Sequence, residues 1–153
     1  VYLPKKTFLQ IVKHAPLAAI DLVLLDRKGR ILLGKRKNNP AKGKWFVPGG
    51  RIHKNETFRK AIQRLCREEV PSLRVGRPHF LGAFEHFYRV NAGGKGFGTH
   101  YVVLAYYLKI FPGQTLLQTR QHEYFRFFSP EEALRIKTVH ANAKAYARQI
   151  RDA

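Results

Sequence analysis

The chain has one cysteine, one tryptophan, no methionine, and only 10 acidic residues against 29 lysines and arginines in 153 positions. The single Cys66 excludes an internal disulfide, so no oxidising compartment is implied, and its place on an apolar helical stripe marks it as a small core residue. No apolar run approaches the roughly 18 residues of a membrane-crossing helix, and no signal-peptide core is present. A soluble cytoplasmic protein without a membrane partner is expected. The shortage of acid leaves a formal charge of +19, spread along the whole chain. Such a surface attracts polyanions, and it fits a nucleotide-diphosphate substrate, nucleic acid, or a host whose proteins are generally basic. No recognised nucleic-acid motif or aromatic-basic repeat accompanies the charge, and a one-sided excess differs from the Lys plus Glu enrichment of hyperthermophiles. Repeats, low-complexity tracts and linkers are missing too. Residues 1–153 therefore read as one domain, long enough to bury roughly 68 to 70% of its unfolded surface.

Hydrophobic periodicity places the elements. Phe8, Leu9, Ile11 and Val12 between polar positions predict a short amphipathic helix over residues 5–14, ending before Pro16. Residues 17–25 are almost continuously apolar, Arg27-Lys28-Gly29 makes a turn, and 30–34 follow as the second strand of a buried hairpin. Residues 38–44 read as a loop, 45–47 as a short strand, and Pro48-Gly49-Gly50 as a break. A helix is expected from an Asn55 N-cap to about Val70, with Glu56 at its positive end. Aromatic and β-branched residues mark strands over 79–89 and 99–110, joined by a loop at 90–98, and another at 124–128. Ser129-Pro130-Glu131-Glu132 looks like an N-cap, an N1 proline and a helix start, giving a helix to about Ile136, and a last helix covers 141–151. This order suggests an α/β class chain with an α+β mixed sheet packed between helix layers.

Chemistry concentrates in the helix after Gly50. Phe58, Ala61, Ile62, Leu65 and Cys66 form one apolar stripe, and Glu69 falls at its centre. Glu68 and Glu69 also lie in the last turn before Pro71, where the macrodipole disfavours negative charge by roughly 0.3 to 1 kcal/mol each. An i, i+4 pair with Arg64 accounts for Glu68 and leaves Glu69 needing a positive partner, which a hard divalent cation supplies.

Other candidates are dispersed. Asp21 interrupts the apolar run at 17–25, either as a hydrogen-bond acceptor for a polar ligand over the sheet or as a core carboxylate satisfied by a nearby arginine. Arg36 at a strand end and Arg51 beside Gly50 can reach a diphosphate with their guanidinium forks. His86 and Tyr88 share one strand face, and Thr99-His100-Tyr101 opens the paired strand, an arrangement suited to a sugar or phosphate. Gln121-His122-Glu123 reads as an inter-strand loop, where binding residues gather. A histidine of ordinary pKa near 6.5 is about three-quarters neutral at pH 7 and can take a proton from water.

Gly50, Glu56, Arg64 and Glu68-Glu69, at these spacings, resemble the Nudix box, a loop-helix-loop that binds a metal ion and a nucleoside diphosphate linked to another group. The family pattern has Arg-Glu where this chain has Arg64-Leu65, and Gly plus an aliphatic residue where it has Pro71-Ser72. One carboxylate fewer implies fewer metals than in members that attack phosphorus. Further segments, Leu33-Gly34-Lys35-Arg36, residues 45–51, His86-Phe87-Tyr88, residues 99–104, Gln121-His122 and Val139-His140-Ala141-Asn142, are similar to the GDP-mannose mannosyl hydrolase branch, of which Arg64-Leu65 is itself a mark. The resemblance implies a Nudix fold, an α-β-α sandwich with a short N-terminal helix, and a homodimer. It implies Mg²⁺ (or Mn²⁺) held by Glu69, Gln121 and the Gly49 carbonyl, and His122 as base for the attacking water. Arg36, Arg51 and Tyr101 match positions that hold the diphosphate, Asp21, His86 and Tyr88 positions near the sugar and phosphates, and Tyr2 and Phe8 positions that stack on guanine. Glu68 stands where that branch lacks a carboxylate, which leaves a second metal open. The implied reaction is hydrolysis of the sugar carbon–oxygen bond of GDP-mannose, with GDP-glucose as a further substrate, giving GDP and an inverted hexose. The alternatives are a Nudix pyrophosphatase using Glu68 with Glu69, and a basic nucleic-acid or nucleotide-binding module without catalysis.

Overall fold

A computed structural model describes residues 3–38, 41–113 and 122–153, the side chains of His122 and Glu123 excepted. Helix α1 (Lys5–His14) opens the chain and ends before Pro16, as its amphipathic pattern predicts. Strand β1 (Leu17–Leu25) follows, then β2 (Ile31–Arg36), β3 (Trp45–Phe46) and β4 (Gly49–Arg51). Helix α2 (Phe58–Glu69) leads to β5 (His79–Tyr88), β6 (Thr99–Lys109) and β7 (His122–Phe128), and α3 (Pro130–Arg135) and α4 (Ala141–Asp152) close the chain.

β1 is apolar almost throughout because it is central and covered on both faces. It runs parallel to β6 in a continuous register from Leu17↔Tyr101 to Leu25↔Lys109. Its other edge is shared by β2, which meets it at Leu25↔Ile31, and β4, which pairs through Ala19↔Arg51, Ile20↔Gly50 and Asp21↔Gly49. The sheet order is β3-β2-β1-β6-β5, with β4 on β1 and β7 on β2. Alternate β1 side chains enter different cores, as a two-residue period requires. Ile20, Leu22 and Leu24 pack with Ala61, Ile62 and Leu65 of α2, whereas Val23 and Leu25 pack with Ala133, Ala143, Tyr146 and Ala147 of α3 and α4. The architecture is the expected mixed sheet between helix layers.

Three local expectations change. Residues 49–51 are a strand, because two glycines let the chain press against β1: a Cβ on Gly49 would lie 2.5 Å from the Ile20 carbonyl oxygen and 2.6 Å from Asp21 Oδ1. His122 and Glu123 begin β7 instead of sitting in a loop. Helix α2 is capped by Thr57, whose Oγ1 accepts from the Lys60 amide at 3.2 Å, and Asn55 instead takes φ +66° in the approach loop. That left-handed conformation suits Asn better than most residues. The Ser129 cap is as expected, a reciprocal capping box with Glu132. Cys66 is half-buried against the α2-side core, and burial pushes its thiol up to about 11, so it is inert at neutral pH.

Thr57→Ala should therefore cost about 1 kcal/mol of unfolding free energy in urea titration, the usual loss of an N-cap oxygen. Asn55→Gly should change it by only a few tenths, since glycine adopts positive φ freely. A large loss at Asn55 with none at Thr57 would return the cap to Asn55.

Candidate active site

Glu69 closes α2 on its buried stripe and is 4% exposed. Burial pushes its carboxyl up to about 7, the Arg36 charge opposes that rise, and neighbouring Glu68 adds to it. The other acids of α2 are arranged differently. Arg64 reaches back over the loop, donating from Nε to Glu56 Oε1 at 2.7 Å, from Nη2 to Glu56 Oε2 at 3.0 Å and from Nη2 to the Arg51 carbonyl at 2.7 Å. Its Nη1 donates to Glu68 Oε2 at 3.0 Å, the expected i, i+4 pair. Hydrogen bonds from Arg64 hold the Glu56 carboxyl down at about 2. Glu68 thus faces solvent and its arginine, and Leu65, in place of a third carboxylate, is 1% exposed beneath Gly50. A Cβ on Gly50 would lie 2.7 Å from Leu65 Cδ2.

On the opposite face of the sheet, Asp21 is buried with a tyrosine as its hydrogen-bond donor and with the charge of Arg36 acting on it. Tyr146 of α4, wholly buried, donates its hydroxyl to Asp21 Oδ2 at 2.6 Å, and His86 Nε2 lies 3.3 Å from the same hydroxyl. Burial raises Asp21 from an ordinary 3.8 to about 7 and lowers His86 from 6.5 to about 4, so the imidazole is neutral. Two residues along β5, Tyr88 accepts from Asn142 Nδ2 at 3.2 Å, and burial pushes its phenol up to about 12. His140 caps α4 by accepting the Asn142 amide at its Nδ1, 3.0 Å away, and its ring lies 5.5 Å from that of Tyr88. Tyr101 pairs with His86 across β5 and β6 and packs edge-on to Tyr88 at 6.1 Å. Its phenol is raised by burial, with Arg36 and Arg51 pulling the other way.

Arg36 joins these groups. Its charge acts on Glu69, Asp21, Tyr88, Tyr101 and His140. It sits at a register shift in β2, where the Arg36 backbone pairs with that of His122 in β7. Bulges of this kind turn a side chain off its strand's regular face and are frequent beside active sites. Arg51, on β4, places its guanidinium 4.7 Å from the centre of the Phe8 ring. The ring expected to stack on a base is thus paired with a cation of the chain itself. Tyr2 and Gln121 lie outside the described residues, as does the His122 side chain.

Asp21, Tyr88, Tyr101 and Glu69 thus share the charge of Arg36, and Gly49 lies against Asp21. Tyr146 was not singled out from the sequence, and Asn142 was named only within the segment Val139-His140-Ala141-Asn142, without a role. Tyr146 carried a usable signal: it lies on the buried stripe of α4 with Ala143 and Ala147, and a buried tyrosine hydroxyl calls for a partner. Among the described residues no group of three or more His, Cys, Asp and Glu side chains gathers as a metal cage. Glu69 itself fits a hard divalent ion, since an inward carboxyl held near neutrality by burial is restored to its ionised form by a bound dication. A carbonyl at Gly49, in a strand only glycine can bring so close to β1, is an oxygen donor of the same hard class.

A family model described as NUDIX domain matches residues 15–149. The Haloferax volcanii protein described as low-salt glycan biosynthesis protein Agl8 is 37% identical over 128 residues, 84% of this chain and 80% of its own. The Escherichia coli K12 CTP pyrophosphohydrolase is 30% identical over 112 residues, 72% of this chain and 75% of its own. Among solved structures, the MutT NUDIX hydrolase from Burkholderia pseudomallei superposes with a TM-score of 0.70 at 24% identity, over 89% of this chain and 98% of that one. Among the described residues no helix is long and apolar enough to cross a membrane.

Asp21 sets a pH signature. Its folded pKa is above the unfolded value, so its contribution to stability is complete below about 3.8 and is lost as pH rises through about 7. His86, depressed to about 4, has the opposite slope: its contribution is present above 6.5 and is lost as pH falls through about 4. Asp21→Asn removes the first slope only. Urea unfolding across this window should show the variant gaining on the wild type as pH increases, and parallel curves would contradict the raised Asp21 pKa.

Proposed function

The chain belongs to the Nudix family, and from that premise we propose that it hydrolyses a GDP-hexose, GDP-mannose first, at the anomeric carbon in the presence of Mg²⁺. The supporting observation is the single inward acid of α2. Leu65 is packed in the core and Glu68 is held outside by Arg64, so Glu69 alone points inward from the helix's last turn. One inward carboxylate suits a reaction in which the departing diphosphate, and not an attacking water on phosphorus, needs charge neutralisation. The word glycan in the description of the Haloferax relative agrees with a sugar-bearing substrate.

A divalent ion held by Glu69, Gln121 and the Gly49 carbonyl would supply Lewis-acid neutralisation of the leaving diphosphate. Arg36 and Arg51 pair their guanidinium forks with phosphate oxygens and spread the charge that builds as the carbon–oxygen bond breaks. Tyr101, kept neutral by its raised pKa, donates a hydrogen bond to the same group. Asp21, His86 and Tyr88 line the hexose side, and Phe8 with Tyr2 the purine side. His122 accepts the proton of the water that bonds to the anomeric carbon, and GDP leaves with the bonding electrons. Because the oxocarbenium-like centre accepts water readily, a weak base suffices where a glycosidase uses a carboxylate. The pairing of the Arg36 and His122 backbones agrees with a base placed beside the diphosphate. Resemblance to the mannosyl hydrolase branch brings a homodimer into the same proposal.

A panel of nucleotide sugars assayed with Mg²⁺ in ¹⁸O water tests this. Label in the hexose is the expected result. Label in a phosphate would favour cleavage between the phosphates, the reaction named for the E. coli relative. No turnover, together with steeply salt-dependent polyanion binding, would favour a binding module. His122→Ala should lower kcat by roughly 10² to 10⁴ while GDP affinity is retained. Glu69→Gln should abolish the Mg²⁺ dependence of GDP binding.

A further inference from the structure

We propose that a second anion site, distinct from the one around Arg36, lies on the outer side of α2 and takes a small oxyanion of the phosphate class. The site is a cleft of about 420 Å³ whose walls include His53, Asn55, Glu56, Lys60, Arg64 and Arg67. Basic residues are common on this chain, but here the local acids are already consumed. Both oxygens of Glu56 are occupied, by Arg64 and by the His53 amide at 2.9 Å, and Glu68 is engaged by the same arginine. Lys60 and Arg67 line the cleft with no salt bridge among the described residues. Positions 60, 64 and 67 share one helical face, and with Arg64 neutralised by Glu56 and Glu68 the charges of Lys60 and Arg67 on either side of it are left uncompensated among the described residues. An oxyanion between Lys60 and Arg67 balances them, and guanidinium and ammonium donors both suit phosphate oxygens.

The potential in the cleft is visible at His53. Burial lowers its pKa first, the Arg64 charge lowers it further, and Arg51 adds to the effect, while Glu56 opposes it. A bound phosphate would reverse the electrostatic part, so His53 is a reporter built into the cleft wall. The loop that carries it is held by the Glu56–Arg64 pair, so the cleft is shaped before any ligand arrives. The lining also favours a small ion over a polymer: the cleft opens to solvent and, among the described residues, no Phe, Tyr or Trp lines it, whereas a nucleic-acid strand needs a track of several nucleotides with aromatic rings for its bases to stack on.

The test is an imidazole NMR titration of the full chain with inorganic phosphate, with chloride at matched ionic strength and a short single-stranded oligothymidylate as the other arms. Spectra of His53→Asn assign the signal. Phosphate should shift His53 saturably and raise its pKa, and chloride should not. Lys60→Glu and Arg67→Glu should each weaken the phosphate response by about tenfold or more, the worth of one charge-assisted hydrogen bond. Arg36→Ala should leave it unchanged. Both reversals lie at exposed positions, and thermal unfolding verifies that they remain folded. The proposal is overturned by a silent His53, by an equal response to chloride, by a response that survives both charge reversals, or by a response to the oligonucleotide alone.

Discussion

Two carboxyl groups buried on opposite sides of one sheet, with a single guanidinium acting on both, constrain everything around the candidate site. Asp21 comes from the middle of the most buried strand and Glu69 from the end of the helix packed on the other face. Each is pushed by burial to about 7, and Arg36 pulls each back. Neither acid stabilises the fold at neutral pH as a leucine would, since transfer of a carboxylate from water costs several kcal/mol unless it is matched. What holds the arrangement is the surrounding apolar packing of β1 between two helix layers. Polar function is thus carried by a core that is stable for other reasons.

The two acids are held in different ways, and the difference has chemical meaning. Asp21 is locked by Tyr146, which fixes one carboxylate oxygen and lies beside a neutral His86, so its geometry is determined before any ligand enters. Prior organisation of this kind favours recognition of substrate hydroxyls, because the site loses little freedom on binding. Glu69 has a raised pKa and lies at the negative end of a helix, where a cation is favoured on two counts. One acid is suited to orientation, the other to charge.

Much of this was legible in the residue order, and the illegible parts share one physical cause. Helix α1, strand β1 and the N-cap at Ser129 follow from local periodicity and cap chemistry, and the structure reproduces them. The inward Glu69 follows from its phase on the α2 stripe. Strand β4 does not, because Gly49-Gly50 has turn composition, and its strand character comes from pairing with a segment 30 residues earlier in the register Ile20↔Gly50. The Asp21–Tyr146 bond spans 125 residues and leaves no trace in local spacing. The cap at Thr57 was missed for a smaller reason: Asn55 and Thr57 are both good cap residues, and only the path of the approach loop, pinned by Glu56 to Arg64, selects between them.

Arg64 shows how one side chain can carry loop, helix and site together. Its guanidinium holds Glu56 at the loop, Glu68 one turn on, and the backbone carbonyl of Arg51, the residue whose own guanidinium faces Phe8. A lysine has three donors on a compact head and could not span three acceptors in fixed directions. Removal of the planar fork would release the loop that shapes the outer cleft and, through the Arg51 carbonyl, the edge of β4 on which Gly49 and Gly50 lie. The low pKa of Glu56 reflects the same linkage from the other side, since a carboxylate that stays ionised down to about 2 keeps its charge for Arg64 at neutral pH. One cluster of ion pairs therefore holds the approach loop, the middle of α2 and the edge of β4 together.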